Sequence, residues 1–229
     1  MKTGNNRKTV LITGVSKGIG KSLTKKMLAD NYFVIGTSRQ GNLKVFESEN
    51  FYPVALDLTN LESIETAQKT ILEKFPQMDI LINNAGVGPD LGSQKPDRKS
   101  FAQTFEVNVS GTVFFTEPII KLIPQNGKII NISSRMGSMD ECETSDSIAY
   151  RMSKSALNMY TKILTNRLKG KIKVASVHPG WVKTTIRESN LVNGTLTPEE
   201  SAARIFSFIK SDFESGMFWN AEKEGKILW

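Results

Sequence analysis

The chain has 229 residues, 39% of them apolar and 23% charged, with a formal charge of +7. That length suits one α/β domain whose core needs no staples, and the composition excludes a disordered chain. The single cysteine, Cys142, excludes an intramolecular disulfide and a cysteine-rich zinc site, and it fits a reducing compartment. No apolar run reaches membrane-spanning length, and the polar start MKTGNNRKTV has no secretory apolar core. A soluble cytoplasmic protein with no membrane partner is therefore expected. The lysines and arginines are dispersed rather than massed, which argues against nucleic acid and for a small anionic ligand.

Residues 8–13 end in the apolar run VLIT, a buried strand. TGVSKGIG follows at 13–20, and then Leu23, Met27 and Leu28 recur at helical spacing. Strand, glycine-rich turn and helix in this order can cradle a phosphate. Gly14, Gly18 and Gly20 permit a tight turn and close approach, and the helix start offers unpaired N–H groups. The spacing is G-x-x-x-G-x-G, and taken alone it also suits a tight turn without a ligand. Residues 32–37 (YFVIGT) form a second strand, continued by Ser38-Arg39 with no carboxylate for ribose hydroxyls. The Arg39 guanidinium, with Lys17 from the loop, suits a 2′-phosphate; the alternative is two solvated cations. The pattern favours NADP(H) over NAD(H).

Residues 53–58 (PVALDL) are expected as a third strand ending at Asp57-Leu58. Asn60 or Thr59 then caps a helix to about residue 75. Residues 79–83 (DILIN) are a fourth strand opening into Asn84-Ala85-Gly86. After a polar loop at 88–96, one long helix is expected over 97–123. Asn108 within it is either a tolerated surface residue or an amide that holds a water where the helix is disturbed. Residues 127–133 are a fifth strand, with Ser134 at the carboxyl end, where open α/β sheets bind ligands. The acidic loop at 137–148 has no His or second Cys, so no metal site is expected. The helix over 147–168 sets Tyr150 and Lys154 one turn apart on one face. A cation there favours the phenolate and lowers the phenol pKa, although the same spacing describes an ordinary solvated pair. The apolar positions of this helix cover a wide arc; the outer part is open to a second copy in a homo-oligomer or to further core packing. Residues 171–177 are a sixth strand, followed by His178, the only histidine. Without a G-x-S-x-G elbow His178 reads as structural, not as a hydrolase base. Residues 185–197 are expected as a mobile segment over the site, Pro198 starts a last helix, and the tail supplies a seventh strand.

The alternation of strand and helix, with no internal repeat, implies a single domain over residues 1–229. Its architecture is a Rossmann-type doubly wound parallel α/β sheet of about seven strands with helices on both faces. TGVSKGIG, NNAG, Asn108, Ser134, YRMSK and HPGWVKT, in that order across nearly the whole length, resemble the short-chain dehydrogenase/reductase family of the classical type. YRMSKSALNM and HPGWVKT are most similar to its C-factor-like and sniffer-like carbonyl reductase branch.

The resemblance implies an NADP(H)-dependent oxidoreductase that reduces a small-molecule carbonyl. It implies Tyr150 as the acid/base and Lys154 as the cation that tunes Tyr150 and holds the nicotinamide ribose. Ser134, rather than Ser133, would orient the substrate oxygen, and Asn108 would keep a water in the proton relay. Gly14, Ser16, Gly18, Ile19 and Gly20 would hold the phosphates, and Lys17, Ser38 and Arg39 the 2′-phosphate end. Asp57 and Leu58 would meet the adenine, Asn84, Ala85 and Gly86 the ribose side, and Val182 and Thr184 the carboxamide, with Pro179 and Gly180 beside them. That branch includes a cell-signalling protein, so a dinucleotide-binding signalling role is the competing class. Reduction of carrier-bound 3-oxoacyl groups shares the machinery and differs in the pocket. The loop between Ser134 and Tyr150 is a few residues longer than in many relatives, so the pocket is not carried over.

Overall fold

Short apolar, β-branched runs bounded by turn residues give the strands of one sheet. In the computed structural model, which describes residues 7–43 and 46–229, they are β1 (Thr9–Ile12), β2 (Phe33–Ser38), β3 (Phe51–Ala55), β4 (Ile80–Asn83), β5 (Lys128–Ile132), β6 (Lys173–His178), β7 (Met217–Asn220) and β8 (Gly225–Lys226). Their spatial order is β3-β2-β1-β4-β5-β6-β7-β8. The strands from β3 across to β7 are parallel, and β8 runs antiparallel to β7. The order reverses between β1 and β4, which opens a crevice beyond the carboxyl ends of those strands.

Alternate residues of each strand feed two cores, as the period of two requires. On one face Val10, Ile12 and Ile82 meet Leu23 and Met27 of α1 (Gly18–Ala29) and Ile205 of α7 (Pro198–Lys210). On the other, Leu11, Leu81 and Ile129 meet Ile64 and Ile71 of α2 (Leu61–Lys74), Phe115 of α4 (Thr112–Ile119) and Leu157 of α5 (Ile148–Arg167). Leu11, Phe115 and Ile129 are fully buried. Truncating such a side chain typically costs about 2–5 kcal/mol.

Three expectations are corrected. The tail forms two strands, with Ile227 donating its backbone N–H to Phe218 at 2.8 Å, so the sheet has eight. The third strand ends at Ala55, and Asp57 and Leu58 lie beyond it in the turn that leads to α2. The helix expected over 97–123 is four pieces: α3 (Arg98–Phe105), a π-helical turn (Glu106–Gly111), α4 and a 3-10 turn (Ile120–Leu122). Asp97 caps its start by accepting the Ser100 N–H at 2.8 Å. The wide π turn interrupts the ladder ahead of α4, and Pro118 inside α4 has no N–H to donate. The short helix α6 (Asn190–Asn193) lies in the 185–197 segment, whose base is stitched by Lys183 N–H to Leu196 O at 2.9 Å and Thr195 N–H to Trp181 O at 2.7 Å. Among the described residues no helix is long and apolar enough to cross a membrane.

Candidate active site

The loop after β1 is shaped to leave backbone donors free. Lys17, extended at the N-cap of α1, makes no side-chain cap bond, and the first turn carries no acidic residue. The leading N–H groups of α1 are therefore left for an anion. Gly14 has φ of 72°, and a Cβ there would fall 2.9 Å from the Ala85 Cα. Only glycine satisfies both conditions. The Asn84 side chain donates to Thr13 O at 2.9 Å and Gly14 O at 3.1 Å, while the Asn84 and Ala85 amides donate to Thr13 Oγ1 at 3.0 Å. These bonds fasten the loops after β1 and β4 to each other.

A cleft of about 540 Å³ runs over these loops. Gly14, Ser16, Lys17, Gly18, Ile19 and Gly20 line one side; Ser38, Arg39, Asp57, Leu58, Asn84, Ala85, Gly86 and Thr184 line the rest. The structure thus brings most of the expected cofactor residues to one place. Pro179, Gly180 and Val182 do not line it. Val182 is buried and bridges to Leu196, and the Pro179 carbonyl accepts the Ser201 hydroxyl at 2.7 Å. They shape the backbone that carries Thr184. At the end of β2 the cleft meets Ser38 and Arg39, with no carboxylate at that strand end, and Lys17 also lines the cleft. The Asp57 carboxyl is held below its usual range by the Thr59 N–H and hydroxyl, with a smaller contribution from Arg39. Free helix N–H groups, two cations and a glycine wall fit a dinucleotide.

Tyr150 and Lys154 stand behind the wall formed by residues 86–88. Tyr150 is the third residue of α5, and its phenol is buried. Burial pushes the phenol up to about 12; the adjacent Ser134 hydroxyl pulls it down, and the charge of Asp90 pushes it up. Lys154 lies with its Nζ 5.7 Å from the Tyr150 ring centroid and donates to Ile132 O at 2.9 Å. Burial pulls its ammonium down to about 8. Loss of solvent dominates both groups in this structure and outweighs the lowering of the phenol expected from Lys154. Ser134 caps a 3-10 turn (Arg135–Gly137), accepting the Met136 N–H at 3.2 Å. Ser133 instead turns its hydroxyl to Lys154 O at 3.4 Å. A Cβ on Gly86 would lie 3.3 Å from Asn108 Oδ1 and 3.5 Å from Lys154 Nζ, which sets how near both groups come to the cleft.

Asn108 is neither a surface residue nor a free amide. It is 1% exposed. Its Oδ1 accepts the Val87 N–H at 2.9 Å, and its Nδ2 donates to Val87 O at 2.8 Å and Ser153 Oγ at 3.1 Å. The side chain is engaged in holding the 86–88 wall to α5, with both Nδ2 hydrogens donated and one acceptor site of Oδ1 occupied.

One residue escaped the sequence reading altogether. Asp90 is 5% exposed, and its Oδ2 accepts the N–H groups of Ala149 at 2.8 Å and Tyr150 at 3.2 Å. A helix cap is sought next to the helix start, whereas this one comes from a loop 59 residues upstream of Ala149. Thr185 and Ile186, the residues after Thr184, also line the cleft. The 185–197 segment touches the 88–96 loop, since a Cβ on Gly92 would fall 2.3 Å from the Arg187 guanidinium.

A glycine cradle at the reversal point of a parallel sheet belongs to the nucleotide-binding α/β class. The family model described as short chain dehydrogenase matches residues 8–193. The chain belongs to the short-chain dehydrogenase family and is an oxidoreductase of it. It is 33% identical to an uncharacterized oxidoreductase of Schizosaccharomyces pombe, over 80% of this chain but only 63% of that protein. It is 30% identical to a probable NADP-dependent dehydrogenase of Haemophilus influenzae, over 89% of this chain and 81% of the relative. The 3-oxoacyl-[acyl-carrier-protein] reductase FabG of Vibrio cholerae is 28% identical over 80% of this chain and 76% of its own. Among solved structures, the carbonyl reductase Sniffer of D. melanogaster superposes with a TM-score of 0.86 at 26% identity, covering 98% of this chain and all of that one.

Proposed function

We propose that this single-domain chain is an NADP(H)-dependent carbonyl reductase that turns an aldehyde or ketone into an alcohol. The observation that carries the reading is the burial of Tyr150, Ser134 and Lys154 behind the glycine wall of a cleft that ends in Arg39 and Lys17. Bound NADPH would supply a hydride to the carbonyl carbon. The protein supplies orientation and one proton. Ser134 holds the carbonyl oxygen, and Tyr150 transfers its phenolic proton to that oxygen, leaving a neutral alcohol. A phenol raised by burial is protonated at neutral pH, which suits reduction. Lys154 lies within reach of the ribose side and recharges the phenol, while Asn108 keeps the wall in place. Gly14, Ser16, Gly18, Ile19 and Gly20 hold the pyrophosphate, Arg39, Lys17 and Ser38 the 2′-phosphate, Asp57 and Leu58 the adenine, and Asn84, Ala85 and Gly86 the ribose. Thr184 meets the carboxamide, on a backbone set by Pro179, Gly180 and Val182.

The names of the Haemophilus and Drosophila proteins support the cofactor and the substrate class. The likeness to the FabG protein supports a second reading, in which the carbonyl is a carrier-bound 3-oxoacyl group. The single cysteine supports a reducing, cytoplasmic compartment. The exposed stripe Met152, Met159 and Ile163 on α5 supports a second copy as partner. The deciding experiment is NADPH oxidation with a panel of aldehydes, ketones, quinones and a 3-oxoacyl thioester. Turnover of one class that vanishes in Tyr150→Phe is expected. Inactivity on the whole panel with NADPH demonstrably bound overturns the enzymatic reading and favours a dinucleotide-binding signalling role.

A further inference from the structure

We infer that Asp90, which no motif marks, is a positioning residue that holds Tyr150 at the start of α5 and keeps its phenol in the protonated form from which a proton can be donated. The inference deepens the reductase reading and rests on it for the direction of the proton.

The start of α5 is short of acceptors. Ser147 at its N-cap has a left-handed φ of 58° and makes no side-chain cap bond to the helix. Its hydroxyl is already taken by the Gly92 N–H at 2.8 Å, and its own N–H goes to Ser93 O at 2.8 Å. The N–H groups of the first turn must still find partners in a buried place. Asp90 meets two of them through one oxygen, at Ala149 and at Tyr150 itself. The backbone of the proton donor is therefore tied to the loop whose Gly88 touches its ring, where a Cβ would fall 2.9 Å from Tyr150 Cδ2.

The charge of Asp90 has a second effect. A helix N-terminus favours a nearby anion, so the third position of α5 would by itself favour the phenolate. A carboxylate on those N–H groups offsets that field. Its other oxygen, Oδ1, is buried and has no hydrogen-bond donor among the described residues, so its charge there is not screened by a partner. The remaining charged groups are accounted for. Lys154 comes from α5 itself and bonds Ile132 O. Arg151 pairs with Asp146 at 3.0 Å at the helix start. Arg187 reaches the loop at Gly92 from the 185–197 segment, and Arg135 follows Ser134 on the turn after β5. Asp90 is the anion whose charge raises the phenol.

Asp90→Asn separates the two effects, because the amide oxygen can still accept both N–H groups while the charge is lost. The full chain, labelled with 13Cζ-tyrosine and free of cofactor and substrate, is titrated by NMR, with the Tyr150 resonance assigned through Tyr150→Phe. The Tyr150 midpoint is expected to fall by about one pH unit in Asp90→Asn. Asp90→Glu would stay near the unsubstituted value. An unchanged midpoint in folded Asp90→Asn overturns the inference and leaves Asp90 as a cap alone. If Asp90→Asn does not fold, Asp90→Ser, a shorter neutral acceptor, is read in the same way. The titration needs no turnover. A shifted midpoint in a protein that reduces no carbonyl would therefore refute the proposed function and leave the role of Asp90 standing.

Discussion

Asn108 and Ser153 are joined by a buried hydrogen bond of 3.1 Å from Nδ2 to Oγ. Ser153 passes the link on, its hydroxyl donating to Tyr150 O at 2.8 Å. Two separate devices therefore fix Tyr150, one from the π-helical turn through Ser153 and one from the 88–96 loop through Asp90. The π turn is what presents Asn108 to both Val87 and α5. Such single-turn bulges in α-helices are often found at functional sites.

Asn108→Ala removes three hydrogen bonds, two of them part-buried bonds to the Val87 N–H and C=O. At about 1 kcal/mol net for each hydrogen bond lost, a loss of roughly 3 kcal/mol is expected. That corresponds to a fall of about 6–12 °C in melting temperature for a domain of this size. Calorimetry checks it, and a melting temperature within a degree of the unsubstituted protein would contradict the network described.

Arg39→Ala tests the cofactor. The guanidinium stands where a dinucleotide enzyme selective for the unphosphorylated ribose has a carboxylate, and a charge-assisted bond to a phosphate is worth about 1.5–3 kcal/mol. NADPH binding should weaken about 10–100-fold while NADH binding changes by less than about twofold. Tryptophan fluorescence on titration with each nucleotide measures both. Equal losses would mean that Arg39 does not read the phosphate.

The glycine cradle and the Tyr150–Lys154 pair were legible because local spacing fixes them, and Ser134 because it stands at the carboxyl end of a strand. Gly14, Gly18 and Gly20 occupy one loop, and residues four apart on a helix must share a face. The alternating cores followed from the apolar runs in the same way. Other features depend on contacts that no window of sequence contains. Asp90 works across 59 residues, and Asn108 meets Val87 across 21. A π turn has no periodicity of its own, so α3 and α4 merge into one apparent helix. The two-residue β8 is too short to show alternation. The Tyr150 phenol ran against expectation because spacing shows the nearby cation but not the burial that outweighs it.

His178 gives an acid-side prediction. It is the only histidine, it is buried, and neither ring nitrogen has a partner among the described residues. Burial pulls its pKa down to about 4, against an ordinary value of 6.5, with the Glu222 carboxylate opposing weakly. A folded-state value below the unfolded one means that the unfolded chain takes up the proton first. Stability from this group is complete above pH 6.5 and is lost as pH falls toward 4. At pH 4.5 the loss is about 2–3 kcal/mol. His178→Leu removes the proton site and two unpartnered nitrogens at similar volume. It should match or exceed the parent at pH 7 and gain on it by that amount at pH 4.5. Urea midpoints at the two pH values test this, and parallel losses in both proteins would assign the acid sensitivity to the carboxylates instead.

Gly88→Ala probes how finely the Tyr150 ring must be placed. A Cβ at residue 88 would fall 2.7 Å from Leu91 Cδ1 and 2.9 Å from Tyr150 Cδ2, both inside contact distance. The partly exposed Leu91 can swing away. The buried Tyr150 ring, on a backbone held by Asp90 and Ser153, takes a displacement of a few tenths of an ångström or tilts. A misplacement on the order of 1 Å at a reacting group can cost about 100-fold in rate. Carbonyl turnover in Gly88→Ala should therefore drop about 10–100-fold, with kcat carrying the loss. NADPH affinity should hold within about twofold, because the pyrophosphate cradle at residues 14–20 is untouched. Steady-state kinetics alongside a nucleotide titration separates the two quantities. A kcat equal to that of the unsubstituted protein would show that Leu91 absorbs the methyl group and that the 86–88 wall tolerates a side chain against the phenol.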